Sequence, residues 1–197
     1  SPTIKTYLPR EEHGCIVIGS LENAAFRDWL VANKLDCSAV DGESERYILR
    51  TYGQDNANLL ICGSDKRGAM WGIYEICETV LGVDPLYFWT DNPPQIQMSV
   101  SVDRLDITSE SPTYRFRGWF LNDEDLLTEW ENGGGKRYID YPYYAQVTHQ
   151  SVFARVLEAM LRLRQNLVIP ASFIDIDNPA EENLVRMASE RGLWVTQ

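Results

Sequence analysis

Arg117–Trp130 reads RGWFLNDEDLLTEW, and its first half decides the fold. The apolar run Trp119-Phe120-Leu121 breaks at Asn122, and three carboxylates follow side by side: Asp123, Glu124 and Asp125. A short apolar run bounded by polar residues reads as a buried strand. The acids after it are either a solvated loop or a strand end that aims carboxylates into a pocket.

The downstream sequence favours the strand. Val152, Val156, Met160 and Leu163 form an apolar stripe over a predicted helix from Thr148 to about Gln165, with Phe153, Leu157 and Leu161 beside it. Arg155, Glu158, Arg162 and Gln165 form its polar stripe. NLVIPAS (Asn166–Ser172) reads as the next strand. A Pro-capped helix follows over Pro179–Arg191, with Gly192 as its stop, and LWVTQ begins a third strand. Strands joined by helices of this length make parallel β/α units with right-handed crossovers. Residues 111–197 therefore read as the first three β/α units of a (β/α)8 barrel, incomplete at Gln197. Between the first strand and the long helix the chain reads as irregular, and the triple glycine Gly133–Gly135 predicts mobility there, because glycine leaves φ unrestricted.

Upstream, CIVIGS (Cys15–Ser20), RYILRTY (Arg46–Tyr52) and ANLLICGS (Ala57–Ser64) read as strands, and AAFRDWLVANK (Ala24–Lys34) as a helix. Ser64–Asp84 contains the clearest helix of this half. Met70, Ile73, Tyr74, Cys77, Val80 and Leu81 fall at helical spacing, Ser64 or Asp65 can cap its start, and Gly82 can end it. Gly68 and Gly72 share a face that permits close packing on a sheet. DPLYFWTDNPP (Asp84–Pro94) is a connector, IQMSVSVDRLDI (Ile96–Ile107) an edge or bridging strand, and TSESPT (Thr108–Thr113) a linker. The fold expected is α/β: a mixed sheet with helices over residues 1–110, then the start of a (β/α)8 catalytic barrel over 111–197.

The totals narrow the partners. The chain has 197 residues, 44% hydrophobic and 24% charged, which suits a globular protein. Eighteen basic residues against twenty-nine acidic ones give a net charge of −11, which argues against nucleic acid and against an anionic membrane surface. No run approaches the roughly 18 apolar residues of a membrane span, and Ser1–Arg10 carries no signal-peptide pattern. Cys15, Cys37, Cys62 and Cys77 form no C-x-x-C pair, so structural zinc is not expected and buried free thiols are; a disulfide stays open. The two histidines, His13 and His149, cannot make a His-rich metal site, and His149 suits a helix cap. Ser64 and Ser172 lack a G-x-S-x-G elbow.

In parallel β/α folds ligands meet the carboxyl ends of strands. Two such ends carry acids here: Asn122-Asp123-Glu124-Asp125, and the stretch after Ser172 with Asp175 and Asp177. Paired carboxylates, one protonated and one ionised, suit glycosidic cleavage, since crowded like charges push one carboxyl pKa upward. An oxygen-ligand Mg²⁺ or Ca²⁺ site ranks lower, because D-E-D followed by leucines is no EF-hand loop. CGSDKRG (Cys62–Gly68) sets Asp65, Lys66 and Arg67 where a strand meets a helix start, a place that favours an anion and equally suits an ordinary capped helix. Tyr87, Phe88 and Trp89, with Trp119, Trp130, Tyr138, Tyr141, Tyr143 and Tyr144, offer faces for sugar rings or for ordinary packing.

GSDKRGAMWGIYEICETVLGVDPLYFW, followed after a linker by YRFRGWFLNDED and the step LRLRQNLVIPA, resembles glycoside hydrolase family 115, the xylan α-glucuronidases. The resemblance implies an N-terminal α/β domain before a (β/α)8 barrel. It implies release of glucuronic or 4-O-methylglucuronic acid from xylan side chains, with inversion and with no metal or other cofactor. Asp123 and Glu124 would be catalytic, and Asn122 and Asp125 would face the sugar. From their charge rather than from the resemblance, Lys66 and Arg67 are expected to meet a uronate carboxylate beside Asp65, and Trp89 is expected to line the substrate. Ile169-Pro170-Ala171-Ser172-Phe173 departs from the family's Trp-Pro-Ala-Met type block and puts the exact sugar in doubt. The chain alone is expected to be inactive. A polysaccharide or oligosaccharide is the expected partner, periplasmic or extracellular the expected location, and a homo-oligomer is expected if the barrel edge pairs with a second copy. The competing expectation is a non-catalytic carbohydrate-binding or structural α/β module.

Overall fold

CIVIGS forms strand β1 (Ile16–Ser20), RYILRTY forms β2 (Tyr47–Tyr52) and ANLLICGS forms β3 (Asn58–Gly63). With a short β4 (Asp106–Thr108) they make one sheet of order β1-β3-β2-β4, in which β1 and β3 are parallel and β2 is antiparallel to both its neighbours. The mixed sheet expected of the first half is therefore present. The computed structural model describes residues 3–9, 13–102, 104–122, 124–131, 133–139 and 145–197, with Glu124 by its backbone alone. The chain divides into two units: Ser1–Asp84 with Asn92–Thr113, and Pro85–Asp91 with Tyr114–Gln197. Pro85–Asp91, assigned above to the first half by its position, thus groups with the second unit.

The long strand expected over Ile96–Ile107 is a correction. Among the described residues the strand is Asp106–Thr108, through Ile48↔Thr108, Leu49↔Ile107 and Arg50↔Asp106, with one more bond from the Thr51 N–H to the Leu105 carbonyl at 3.0 Å. Ile96 and Met98 are almost fully exposed. Alternation alone does not make a strand where no sheet edge takes up its backbone groups.

Helix α1 (Ala24–Ala32) starts where the Asn23 side chain accepts the Phe26 N–H at 3.1 Å. It buries Phe26 and Leu30 against Val17, Ile48, Leu60 and Cys62, the core of the first unit. Cys37 and Cys62 lie buried in that core as free thiols. The bond the Cys62 thiol makes with Cys37 lowers the Cys37 pKa and raises that of Cys62. Outside the core, Arg27 grips Asp41 with two bonds, of 2.9 and 2.6 Å.

Helix α2 (Lys66–Thr79) begins on Asp65, whose carboxylate accepts the Gly68 N–H at 2.7 Å. Near its end Gly82 takes φ +65° and the Val83 N–H reaches back to the Cys77 carbonyl. The buried face is Gly68, Ala69, Trp71 and Gly72. The apolar residues that mark its helical spacing are half-buried at Met70, Tyr74 and Cys77 and exposed at Ile73 and Leu81. The glycines explain the turn of the helix. A Cβ at Gly68 would lie 2.1 Å from the Arg46 carbonyl oxygen, and one at Gly72 would lie 2.7 Å from Ile61 Cγ2. The helix seats Gly68 and Gly72 close to the sheet, as their shared face suggested, with Trp71 buried beside them.

The second unit holds β5 (Gly118–Phe120), β6 (Leu167–Ile169) and β7 (Trp194–Val195), all parallel and in that order. Asn166, 1% exposed, ties their amino ends. Its side-chain oxygen accepts the Arg117 N–H at 2.9 Å, its amide donates to the Arg115 carbonyl at 2.8 Å, and its own carbonyl accepts the Trp194 N–H at 2.7 Å. Helix α3 (Glu124–Trp130) follows β5, where an irregular stretch was expected. The acids at its start suit the positive end of a helix. Helix α4 (Gln150–Arg162), capped by His149, buries Val152, Phe153, Val156, Leu157, Met160 and Leu161, as the periodicity predicts; Leu163, just past its end, is exposed. Helix α5 (Pro179–Glu190) is capped by Asn178.

Two tests follow from these contacts. Gly68→Ala is expected to lose about 1–3 kcal/mol in denaturant unfolding, and more than Gly72→Ala, because the atom it meets is a fixed carbonyl rather than a side chain. The Arg27 bonds hold the Asp41 pKa below its ordinary value of 3.8. The stabilisation is thus present above that pH and lost as pH falls towards the depressed value. The melting-temperature difference between the chain and Asp41→Asn should be full near about pH 6 and shrink below about pH 4.

Candidate active site

The parallel register of β5 and β6, Gly118↔Leu167 to Phe120↔Ile169, brings their carboxyl ends level. Pairing runs one step further, with the Leu121 N–H on the Ile169 carbonyl at 3.0 Å. The loops then meet. The Ser172 hydroxyl lies 3.4 Å from the Asn122 carbonyl oxygen and 3.5 Å from its side-chain oxygen. Asn122, expected to face a sugar, is exposed at this tip.

The acids separate. Asp123 lies outside the described residues. Glu124 opens α3, which fixes the place of its backbone beside Asn122. Asp125 is half-buried, and its carbonyl accepts the Thr128 hydroxyl at 2.7 Å. Asp175 and Asp177 are exposed, and Asp175 is engaged in its own turn, accepting the Asp177 N–H at 2.9 Å. The two strand ends thus join through Asn122 and Ser172, while the second pair of acids serves a local turn. Among the described residues no group of three His, Cys, Asp or Glu side chains could hold a metal ion.

The glycine-rich stretch after α3 is not the loose loop expected. A Cβ at Gly134 would lie 2.1 Å from the Val147 carbonyl oxygen, and one at Gly135, φ +122°, would lie 2.4 Å from Ala180 Cβ. The glycines permit close approach, and Lys136 pairs antiparallel with Gln146. Beside them Arg137 is wholly buried against Glu181 at 3.4 Å. Arg137 also donates to the Phe173 carbonyl at 2.9 Å and to the Gln146 carbonyl at 3.2 Å. Asn178 donates to Glu181 at 2.9 Å and to the Lys136 carbonyl at 3.0 Å. This network braces the loop after β6, and the sequence reading missed it. A signal for Glu181 existed: Asn178 three residues before a Glu is a capping-box spacing. Nothing local marked Arg137.

The aromatic residues gather in part. Trp130 is 58% exposed and lies 5.8 Å from Phe88 and 5.4 Å from Trp89, edge-on to the latter. Trp89, expected to line the substrate, is half-buried against it. Arg155 stacks over Phe88 at 5.0 Å, and Arg162 over Tyr87 at 5.4 Å. Tyr141, Tyr143 and Tyr144 lie outside the described residues.

In the first unit Asp65 and Arg67 are already engaged. Asp65 caps α2 and accepts the Glu45 N–H at 2.9 Å, and Arg67 pairs with the buried Glu45 at 3.4 Å. Lys66 is exposed at the carboxyl ends of β1 and β3.

Residues 109–197 match the model of Glycosyl hydrolase family 115. The chain carries a glycosyl hydrolase family 115 segment. The resemblance drawn from GSDKRG and FLNDED is thereby upheld, most directly over the half that contains the strand-end acids. Among solved structures, a family GH115 4-O-methyl-α-glucuronidase, BtGH115A, described as having specificity for decorated arabinogalactans, superposes with TM-score 0.70 at 25% identity. That likeness covers 91% of this chain and 23% of BtGH115A, so the chain spans about a quarter of that enzyme's length. CpGH84B matches with TM-score 0.36 at 13% identity, over 88% of this chain and 32% of its own. No curated protein matches.

The buried pair makes a prediction. Arg137→Ala is expected to cost about 3–5 kcal/mol, because it leaves Glu181 charged and unpaired. The double replacement Arg137→Met with Glu181→Leu should recover most of that loss in thermal or denaturant melts.

Proposed function

We propose that this chain is the amino-terminal part of a glycoside hydrolase that releases glucuronic or 4-O-methylglucuronic acid side chains from a decorated polysaccharide. In this reading the three parallel strands of the second unit open a (β/α)8 barrel, whose strand ends face the substrate. The observation that carries it is the level pair of strand ends, β5 and β6, with Asn122 against Ser172 and the backbone of Glu124 opening α3 just beyond. Family and structural likeness support it.

Asp123 and Glu124 are the proposed carboxyl pair. One is held protonated to give its proton to the leaving oxygen, and the other is ionised and activates water or supports the developing positive charge. Inversion would need the two working carboxyls about 6.5–9.5 Å apart, leaving room for water. Adjacent residues reach that separation only if the helix start turns them to different sides, or if a later strand supplies one partner. Asn122 and Asp125 would hydrogen-bond the sugar, with Trp89 and Trp130 as stacking faces.

The substrate class is kept at glucuronate-decorated polysaccharide. Xylan follows from the residues that resemble the family. BtGH115A's stated specificity, together with the departure at Ile169–Phe173, makes a decorated arabinogalactan the second candidate. Such substrates suit a periplasmic or extracellular enzyme. Among the described residues no helix is long and apolar enough to cross a membrane.

The test is uronic acid release from glucuronoxylan and from glucuronate-decorated arabinogalactan, by a polypeptide that carries this chain and the remaining barrel strands. Asp123→Asn and Glu124→Gln should each lower kcat by about 10²–10⁴-fold with the melting temperature unchanged. Release from neither polymer, or full turnover in both variants, overturns the reading. Calorimetric binding of either polymer by the chain, with no hydrolysis by the longer protein, would favour the binding-module reading that the exposed Trp130 also permits.

A further inference from the structure

The first unit has a crevice that the reading above does not use. Strands β1 and β3 are parallel neighbours, yet the helices that follow them cover opposite faces of the sheet. Helix α1 packs Phe26 and Leu30 on the face of Val17, Leu60 and Cys62, whereas α2 lays Gly72 on the face of Ile61 and Leu49. Where chains leave adjacent parallel strands in opposite directions, the carboxyl ends open a crevice, and open α/β sheets bind ligands there.

A cavity of about 580 Å³ lies at that place, within the size range of small-molecule sites. Ile18 and Ser20 line it from β1, Asn23 from the start of α1 and Lys66 from the first turn of α2; Lys5 and Tyr7 close it from the amino-terminal segment. The Lys5 ammonium sits 5.3 Å from the centre of the Tyr7 ring, so charge and aromatic face come to the wall together. The charge here runs against the rest of the molecule. The chain carries −11 overall, but two lysines and one acid, Glu22, line this cavity. Arg67 is spent on Glu45, whereas Lys66 makes no ion pair among the described residues. An ammonium held at the mouth of a partly apolar cavity attracts an anion more strongly than one in open water.

We propose that this cavity binds a small ligand bearing a carboxylate or phosphate, its anionic group on Lys66 and its body on Tyr7 and Ile18. The site belongs to the first unit alone and does not depend on the glycosidase reading. Its failure would leave that reading standing, and the reverse.

The test is an amide-shift titration of the ¹⁵N-labelled 197-residue chain with sodium glucuronate and, separately, with inorganic phosphate. Saturable shifts at Ser20, Asn23 and Lys66 are expected with at least one probe, weakening as salt rises. Glucuronate alone would mark a sugar acid, phosphate alone a phosphate ester, and both a general anion site. Lys66→Glu should weaken binding by about 10-fold or more, while Glu22→Gln, which removes the opposing charge, should tighten it. Both variants should melt with the parent, since both side chains are exposed. Absence of saturable shifts with either probe, or shifts that survive Lys66→Glu unchanged, overturns the proposal.

Discussion

The amide of Asn166 is the constraint on which the second unit depends. One buried side chain bonds both Arg115 and Arg117 at the entry to β5, and its backbone joins β6 to β5 and β7. Strand register is fixed only modulo the contacts that enforce it, and a slip of one residue would turn every side chain to the other face. By setting the register at the amino ends, Asn166 sets which residues emerge at the carboxyl ends. The meeting of Asn122 with Ser172 is a distant result of that bond set.

Much of this architecture was legible from local chemistry. The α4 stripe, the proline start of α5 and the cap at Asp65 are short-range features, and they fold as read. Misreadings arose where tertiary contact outweighed local pattern. The shared face of Gly68 and Gly72 was legible as a seat on the sheet, and it holds; that the apolar stripe beside it would stay half-exposed was not, because dispersion favours the closer packing that the glycines allow. Gly133–Gly135 reads as mobile for the same reason that it packs: with no side chain, backbone can approach backbone. Arg137 was invisible because its partner lies 44 residues away, on helix α5.

The site was legible to a lesser degree. The strand end at Leu121 and the acidic run after it are plain from the sequence, and the adjacency of the second strand end follows from the β/α alternation. The local use of Asp175 was not plain, since an acid that caps a turn and an acid that awaits a substrate look alike in a row of letters. The same holds for Asp65 and Arg67, which sit in a basic-looking motif yet are satisfied by Gly68, Glu45 and the helix start.

The chain passes between its two units three times, because Pro85–Asp91 belongs with the second while Asn92–Thr113 returns to complete the first. Strand β4 is synthesised only after that excursion, so neither unit is finished before the ribosome has begun the other. A fragment cut at the apparent linker near Thr113 would strip Arg155 and Arg162 of Phe88 and Tyr87 and leave Trp130 without its ring neighbours. What looks like two beads on a string is, in covalent order, a stitch.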